Sequence, residues 1–137
     1  MNDRYKFRGK RTENGMWITG GYIEWTDIKG NKQYQIVSFS GYHNDVVPET
    51  VGQCTGMQDV NEKEIYDMDI VIFTFFTYLP TGEVEESKKG RIIYNSTGFV
   101  FQEENGEIYI LEYMNFDSEC DIEVIGNEID NPELLKQ

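Results

Sequence analysis

Apolar and polar residues alternate along most of the chain, and turn residues recur at short spacing. A period of two predicts β-strands rather than helices. Residues 5–11 and 16–22 alternate in this way on either side of Asn14 and Gly15, a pair that favours the two positive φ values of a tight type I′ hairpin turn. Residues 25–28 and 32–39 flank a second turn, at residues 29–31, and predict a second hairpin.

The chain alternates less regularly after the second hairpin. Residues 40–45 are typical of a loop, and Pro48 lacks a backbone donor, so the next strand is expected only after it, at residues 50–55. Gly56 is expected to end that strand. The run 70–79 follows, and its β-branched and aromatic residues predict a strand with apolar side chains on both faces. Such a strand must be covered by another part of the chain or by a second protomer.

A meander of short strands is predicted next, at residues 90–94, 99–102 and 107–110, with a closing strand at 121–125. We expect residues 65–127 to bend into a small barrel, similar in outline to SH3-like folds, because closure removes exposed strand edges. Residues 80–89 resemble a linker or a mobile hairpin tip. Helix is limited to single turns near residues 111–116 and 132–135.

A length of 137 residues fits a single domain, since a chain of about 150 residues can bury roughly 70% of its unfolded surface. The predicted fold is mainly β with minor α, and it has N-terminal β-hairpins packed on a C-terminal SH3-like small barrel. There is no run of about 18 apolar residues that could span a membrane. The chain is therefore expected in the cytoplasm, where Cys54 and Cys120 stay reduced.

Charge is distributed unevenly along the chain, whose net charge is −13. Residues 1–50 hold seven Lys and Arg against six Asp and Glu, whereas residues 103–137 hold eleven acidic residues and one Lys. The simplest interpretation is a solvated acidic face that keeps the protein soluble. Binding to nucleic acid is disfavoured, because phosphate contacts need a local excess of Lys and Arg.

The basic residues near the N-terminus predict a more specific role for charge. Lys6, Arg8 and Lys10 fall on one face of the first predicted strand, with Tyr5 and Phe7 on the other. Such a strand can turn its aromatic face inward and offer its cations to the acidic end of a neighbouring copy. We therefore expect self-association into a homo-oligomer that weakens with salt, with Lys6, Arg8 and Lys10 as candidate contacts.

Three segments of the chain resemble the motifs of a known family. The first is KFRGK at residues 6–10, and the longest runs from Glu49 to Val71. The third is EVIGN at residues 123–127, which is followed by NPELL at residues 131–135. In this order they resemble the YopX family of phage and prophage proteins over the whole chain. The resemblance implies a small, largely β protein of phage type in the bacterial host cytoplasm, with no established activity.

The chain departs from the resembled family at three positions. Family members usually have glycine where this chain has Glu62 and Met68, and tyrosine where it has Cys54. Glycine commonly marks a residue with positive φ. The residues Glu62 and Met68 therefore raise the question of whether their two turns keep the backbone conformation of the family. The third argues against Cys54 as a nucleophile.

The acidic cluster from Asp59 to Asp69 is a candidate metal site, because oxygen ligands at alternating positions can hold Ca²⁺. The spacing argues against a calcium loop, since its fifth and sixth positions would be Lys63 and Glu64 instead of an oxygen ligand and a glycine. Asp59 and Asn61 are expected to bond to the backbone of their own turn. We predict no metal and no cofactor.

Nucleophilic catalysis has one candidate arrangement, which combines Cys54 with His43, the only histidine, and with Asp45. A thiolate needs a base, and the base needs an orienting carboxylate. Nothing in the spacing requires these three to meet, and no glycine-rich phosphate loop is present. We therefore predict no catalytic residue.

The sequence favours a phage or prophage accessory protein that acts as a non-enzymatic protein-binding or assembly module through a β surface. Its expected partners are a second copy of the chain or a host or phage protein. Two alternatives stay open. One is a metal-dependent or carboxylate-based hydrolase that uses the cluster from Asp59 to Asp69. The other is an acidic decoy of a host nucleic-acid-binding protein.

Overall fold

The structure is a computed structural model that describes residues 5–111 and 120–135, except for the side chain of Thr77. It is mainly β, and the chain divides into two compact units, Met1–Gly56 and Met57–Gln137. The strands are β1 (Phe7–Lys10), β2 (Trp17–Thr26), β3 (Lys32–Val37), β4 (His43–Asp45), β5 (Gly52–Gln58), β6 (Glu64–Tyr66), β7 (Asp69–Leu79), β8 (Gly82–Asn95), β9 (Gly98–Glu103), β10 (Ile108–Ile110) and β11 (Cys120–Asn127).

The first unit is built on an antiparallel sheet in the order β4-β3-β2-β1-β5. Its buried side chains include Ile36 and Val46. Glycine at position 20 lets β2 and β3 approach closely, since a β-carbon there would lie 2.1 Å from the carbonyl oxygen of Val37. A bridge between Arg11 and Val46 places the segment after β4 beside the end of β1.

The first predicted hairpin is confirmed, because β1 and β2 pair antiparallel, but the predicted turn type is wrong. Gly15 has a φ of 71°, whereas Asn14 does not have the positive φ that a type I′ turn also needs. The loop is wider, and it is closed by the N–H of Arg11, which donates to the carbonyl oxygen of Met16 over 2.9 Å. The Asn14 side chain accepts the Met16 N–H at 3.0 Å and so stabilises this wider loop.

The second predicted hairpin is confirmed as β2 and β3. The predicted strands at residues 16–22 and 25–28 are one continuous strand, because β2 pairs first with β1 and then with β3. The predicted loop at residues 40–45 contains β4. Its side chains are polar, but its backbone pairs with β3, and that pairing outweighs the weak strand preference of the sequence.

The strand predicted at residues 50–55 begins later and ends later than expected. A 3₁₀ turn at Pro48–Thr50 precedes it, and β5 starts at Gly52. Gly56 does not end the strand. It has a φ of 84°, a value that glycine accepts without steric strain, so β5 continues to Gln58.

The second unit contains a five-stranded antiparallel sheet in the order β10-β9-β8-β7-β11. Strand β6 pairs with β5. One face of the five-stranded sheet carries an apolar cluster that also includes Ile65 and Leu111. The strand residues of the cluster are Val71, Phe73, Ile92, Phe101 and Ile122.

The barrel predicted over residues 65–127, with its SH3-like outline, is not closed. Strands β10 and β11 form the two edges of an open sheet, and no pairing joins them within residues 5–111 and 120–135. The outer edge of β11 is used differently. The carbonyl oxygen of Ile122 accepts the N–H of Val60 at 2.9 Å, and the Asp59 carboxylate accepts the N–H of Val124. A turn thus satisfies edge groups that a closing strand would otherwise pair.

The prediction that β7 is apolar on both faces is confirmed. Adjacent residues of a strand point to opposite faces, and the neighbours Ile70 and Val71 are both fully buried. The strand pairs Ile70 with Gly126 of β11. A β-carbon at Gly126 would lie 2.8 Å from Cδ1 of Leu134, so this glycine lets the C-terminal segment pack closely on β11.

Strands β7 and β8 extend together beyond the rest of their sheet, so the linker predicted at residues 80–89 is mostly strand. β11 pairs with β7 no further than Phe75, and β9 pairs with β8 only from Gly90. Among the described strands, residues 76–79 and 82–85 therefore pair only with each other. We call residues 76–86 the arm.

The predicted helical turn at the C-terminus is confirmed as a 3₁₀ turn, Pro132–Leu135. The Oδ1 of Asn131, the residue before this turn, accepts the N–H of Asn127 at 3.2 Å. Of the other predicted turn, near residues 111–116, only Leu111 lies within the described residues.

Candidate functional site

Asp59 is a buried carboxylate that organises the turn between β5 and β6. Its Oδ1 accepts the N–H groups of Asn61 at 2.8 Å and Lys63 at 2.9 Å, and its Oδ2 accepts the N–H of Val124 at 2.9 Å. Burial by itself raises the pKa of the Asp59 carboxyl, but these backbone donors outweigh it and hold the pKa below its usual value. The prediction that Asp59 bonds to its own turn is confirmed.

The other aspartates of this segment also bond to the backbone. Asp69 is almost fully buried, and its Oδ2 accepts the N–H of Tyr66 at 2.7 Å. Asp67 accepts the N–H of Tyr94 at 3.2 Å. In the part of the chain that the structure describes, no three His, Cys, Asp or Glu side chains are grouped so that they could hold a metal ion. The arrangement from Asp59 to Asp69 therefore acts on the backbone of the fold.

Four hairpin turns in the described residues share one hydrogen-bond pattern, at residues 27–31, 38–42, 59–63 and 103–107. In each, the first N–H donates to the fifth carbonyl, and the fourth N–H donates to the first carbonyl. The fourth residue has positive φ. It is Gly30, Gly41 or Gly106 in three turns and Glu62, with a φ of 64°, in the other. Glu62 therefore keeps a glycine-type backbone, which costs a residue with a β-carbon about 1–2 kcal/mol.

Met68 is the second described residue other than glycine with positive φ, at 76°. This conformation directs its N–H to the carbonyl oxygen of Ile92 at 2.7 Å and its own carbonyl to the N–H of Glu128 at 2.9 Å. Both departures from the resembled glycines thus keep the glycine-type conformation. Two tertiary hydrogen bonds hold Met68 in place.

The candidate trio of Cys54, His43 and Asp45 does not form a catalytic arrangement. His43 is exposed on β4, and its Nδ1 lies 3.1 Å from Oε1 of Gln35. Asp45 accepts the Gln35 amide N–H at 2.9 Å. Cys54 is fully buried on β5, and its sulfur accepts the N–H of Gly56 at 3.4 Å. His43 and Asp45 therefore both contact the side-chain amide of Gln35 and not the thiol of Cys54.

The same amide side chain orients an exposed tryptophan. Trp25 Nε1 donates to Gln35 Oε1 at 2.9 Å, and 46% of the Trp25 residue is exposed. Gln35 is itself held by its bond to Asp45 and its contact with His43. The indole orientation is therefore fixed by a network that spans three strands.

A second tryptophan of β2 lies beside two cations. The guanidinium carbon of Arg8 is 4.8 Å from the ring centroid of Trp17, and the Lys10 ammonium is 5.4 Å from it. Cations at such distances are attracted to the electron-rich face of the ring. We call Arg8, Lys10 and Trp17 the cation platform. The predicted common face of Arg8 and Lys10 is confirmed, whereas Lys6 lies just before β1, and its carbonyl oxygen accepts the N–H of Cys54.

Trp17, Ile23 and Trp25 share one face of β2, because they occupy alternate positions of the strand. Their cross-strand neighbours on that face include Arg8, Lys10 and Gln35. We call these six residues the β2 face. The sequence-based predictions did not include this face as a site. Even numbers of positions separate Trp17, Ile23 and Trp25, so their common face was visible in the sequence.

The division into units coincides with the division of charge. The first unit has seven Lys and Arg against six Asp and Glu, and the second has five against nineteen. The acidic character of the chain therefore belongs to the second unit, and the cation platform belongs to the other.

These features define a small antiparallel β protein whose acidic segment bonds to its own backbone and whose first unit presents an aromatic strand face. The chain matches the family model described as YopX protein over residues 6–136, and it belongs to the YopX family. No curated protein matches it significantly. Among the described residues, none of the helical segments has the length and apolar character needed to span a membrane.

Proposed function

We propose that this member of the YopX family is a non-enzymatic protein-binding module, an accessory protein of phage or prophage origin that acts in the bacterial cytoplasm. The β2 face is its binding surface. The observation that carries this proposal is the fixed, exposed indole of Trp25. Aromatic residues that are well packed on binding dominate the energetics of protein interfaces.

A fixed ring favours binding for two reasons. Tryptophan buries about 150–250 Å² of surface, and an indole that is already oriented loses little conformational freedom when a partner covers it. Ile23, which is 37% exposed, adds apolar surface on the same side of β2. His43 and Asp45 supply a polar rim beside this apolar centre, as protein interfaces usually have.

The two alternatives have less support. A hydrolase that uses Asp59 and Asp69 would need free carboxylate oxygens beside a substrate, but both side chains are buried and bonded to backbone N–H groups. A decoy for a nucleic-acid-binding protein rests on net charge alone.

Affinity capture from a bacterial host lysate tests the proposal, with the full chain as bait and quantitative mass spectrometry as the readout. Trp25→Ala should lose the proteins that the parent enriches. Ile28→Ala is the matched control, because Ile28 is fully exposed in the turn after β2 and lies outside the β2 face. Equal enrichment by the parent and Trp25→Ala would show that the β2 face is not the binding surface.

A further inference from the structure

We propose that the Trp17 end of the β2 face binds the arm of a second copy of this chain, so that copies associate head to tail. This inference rests on the proposed function, because it assigns an occupant to part of the same face. The cation platform and the arm have complementary chemistry, and each copy carries both.

The platform combines positive charge with an aromatic surface. Arg8 and Lys10 both lie within 5.4 Å of the Trp17 ring centroid, and Lys10 is directly opposite Trp17 in the pairing of β1 with β2. The two cations therefore have defined positions above one ring. Arginine can bind a carboxylate through two parallel hydrogen bonds, and the indole surface favours a flat aromatic neighbour.

The arm combines negative charge with an aromatic surface. Residues 76–86 contain three Glu and no Lys or Arg. Tyr78 is directly opposite Glu83, and Phe76 is directly opposite Glu85, so aromatic rings and carboxylates share one face of the arm. Tyr78 is 63% exposed, and Glu83 and Glu85 are exposed.

The nearest cation along β8 does not neutralise this face. Lys88 points its ammonium to Glu103, at 3.2 Å, and more distantly to Glu86, at 3.9 Å. The acidic face of the arm thus keeps the charge of Glu83 and Glu85. Because partners with unlike charge attract over about 10 Å at 0.1 M ionic strength, the arm is drawn to a platform.

The distribution of charge between the units also selects the geometry of association. A symmetric contact between two second units would join two units that each carry nineteen acidic residues against five basic ones. A head-to-tail contact instead pairs the arm with the platform. Contacts of this type are heterologous, and they produce closed rings or open filaments.

The test uses variants that disable one side of the contact at a time. Glu83→Lys/Glu85→Lys reverses the charge of the arm, and Arg8→Glu/Lys10→Glu reverses the charge of the platform. Charge-matched controls are Lys29→Glu/Lys32→Glu in the first unit and Glu123→Lys/Glu133→Lys in the second. Light scattering at low salt gives the mass, and circular dichroism with thermal melting confirms that each variant is folded.

We expect the parent to exceed the monomer mass of 16.0 kDa at low salt and to dissociate at high salt. Each reversal variant should be monomeric, or at least about tenfold weaker in self-association, because charge reversal replaces attraction by repulsion. The controls should behave like the parent. In an equimolar mixture of the two reversal variants each variant still repels its own copies. The intact arm meets the intact platform and the reversed arm meets the reversed platform, in both cases with opposite charges, so the mixture should associate one to one.

Three outcomes overturn the inference: a parent that is monomeric at low salt, an oligomer that both reversals leave intact, or a mixture in which the two reversal variants do not associate with each other. If the platform-reversed variant does not fold, the arm-reversed variant is mixed with the parent instead. Its intact platform can bind the arm of a parent copy, but its own arm cannot bind a further intact platform. It should therefore lower the mass of the parent assemblies. The capture experiment with Trp25→Ala reads out a different part of the β2 face and a different partner. A failure of self-association is thereby distinguishable from a failure of the proposed function.

Discussion

The backbone N–H of Val124 donates to the carboxylate of Asp59 over 2.9 Å, although 65 residues separate them in sequence. Through this bond and the one from Val60 to Ile122, the turn after β5 occupies the outer edge of β11. An edge strand whose backbone groups are already bonded is a poor template for pairing with another chain. Asp59 therefore stabilises a local turn and an edge of the sheet with one side chain.

Replacing Asp59 with alanine should destabilise the protein by about 3 kcal/mol, since three backbone N–H groups lose a charged acceptor. Chemical denaturation measures the change. Asp27→Ala is the matched control, because Asp27 Oδ1 accepts the N–H groups of Lys29 and Asn31 in a turn of the same pattern but has no bond to a distant strand backbone. Its expected loss is about 1 kcal/mol. Equal losses would contradict the role given to Val124.

The stability contributed by Asp59 should depend on pH in the acid range. Its pKa is lower in the folded protein than in the unfolded chain, so the folded state favours the ionised form. The contribution is therefore complete above the unfolded pKa of about 3.9 and disappears as the pH falls through the lower folded pKa. Below about pH 4, Asp59→Asn should lose stability less steeply than the parent. Parallel curves from acid denaturation would disprove this linkage.

Replacing Glu62 with glycine should stabilise the protein by about 1 kcal/mol, because glycine has no β-carbon to strain at a φ of 64°. Met68→Gly tests the same reasoning at the second site. Its gain should be smaller, since Met68 is partly buried and glycine gives up side-chain contacts. The reciprocal change, Gly30→Ala, should destabilise the equivalent turn. A loss of stability in Glu62→Gly would contradict the steric argument.

Replacing Gly15 with valine should destabilise the first hairpin by about 1 kcal/mol or more, because a β-branched residue is strained at a φ of 71°. A β-carbon at this position would meet no atom within 4 Å, so the loss comes from backbone strain and not from a clash. Gly15→Asn is the control, since asparagine tolerates this conformation better. If Gly15→Val melts like the parent, the turn geometry is wrong.

Added metal should leave thermal stability unchanged. A ligand that binds only the folded state raises the melting temperature, but both oxygens of Asp59 already accept backbone hydrogen bonds. Melting curves with a chelator, with Ca²⁺ and with Mg²⁺ should coincide. Stabilisation by several degrees at micromolar metal would instead favour the metal-dependent hydrolase.

Period-two alternation predicted the strands well where each strand carries its own signal. β7 is strongly apolar, and the hairpin at Gly30 has a clear turn residue, so local preferences and pairing agree there. β4 was missed because His43, Asn44 and Asp45 are polar, and only their pairing with β3 makes them a strand. The type I′ turn at Asn14 was wrong because the side-chain bond to Met16 favours a wider loop.

The sequence by itself determined the β class, the uneven charge and the local role of Asp59, since alternation, composition and Asx turns act over a few residues. Only the tertiary structure decided that the five-stranded sheet stays open and that Asp59 reaches Val124. It also decided that Trp25 is held by Gln35 on the β2 face. These features depend on which distant strands pair and in which register, and register is set by the packing of the whole sheet rather than by any local run of residues.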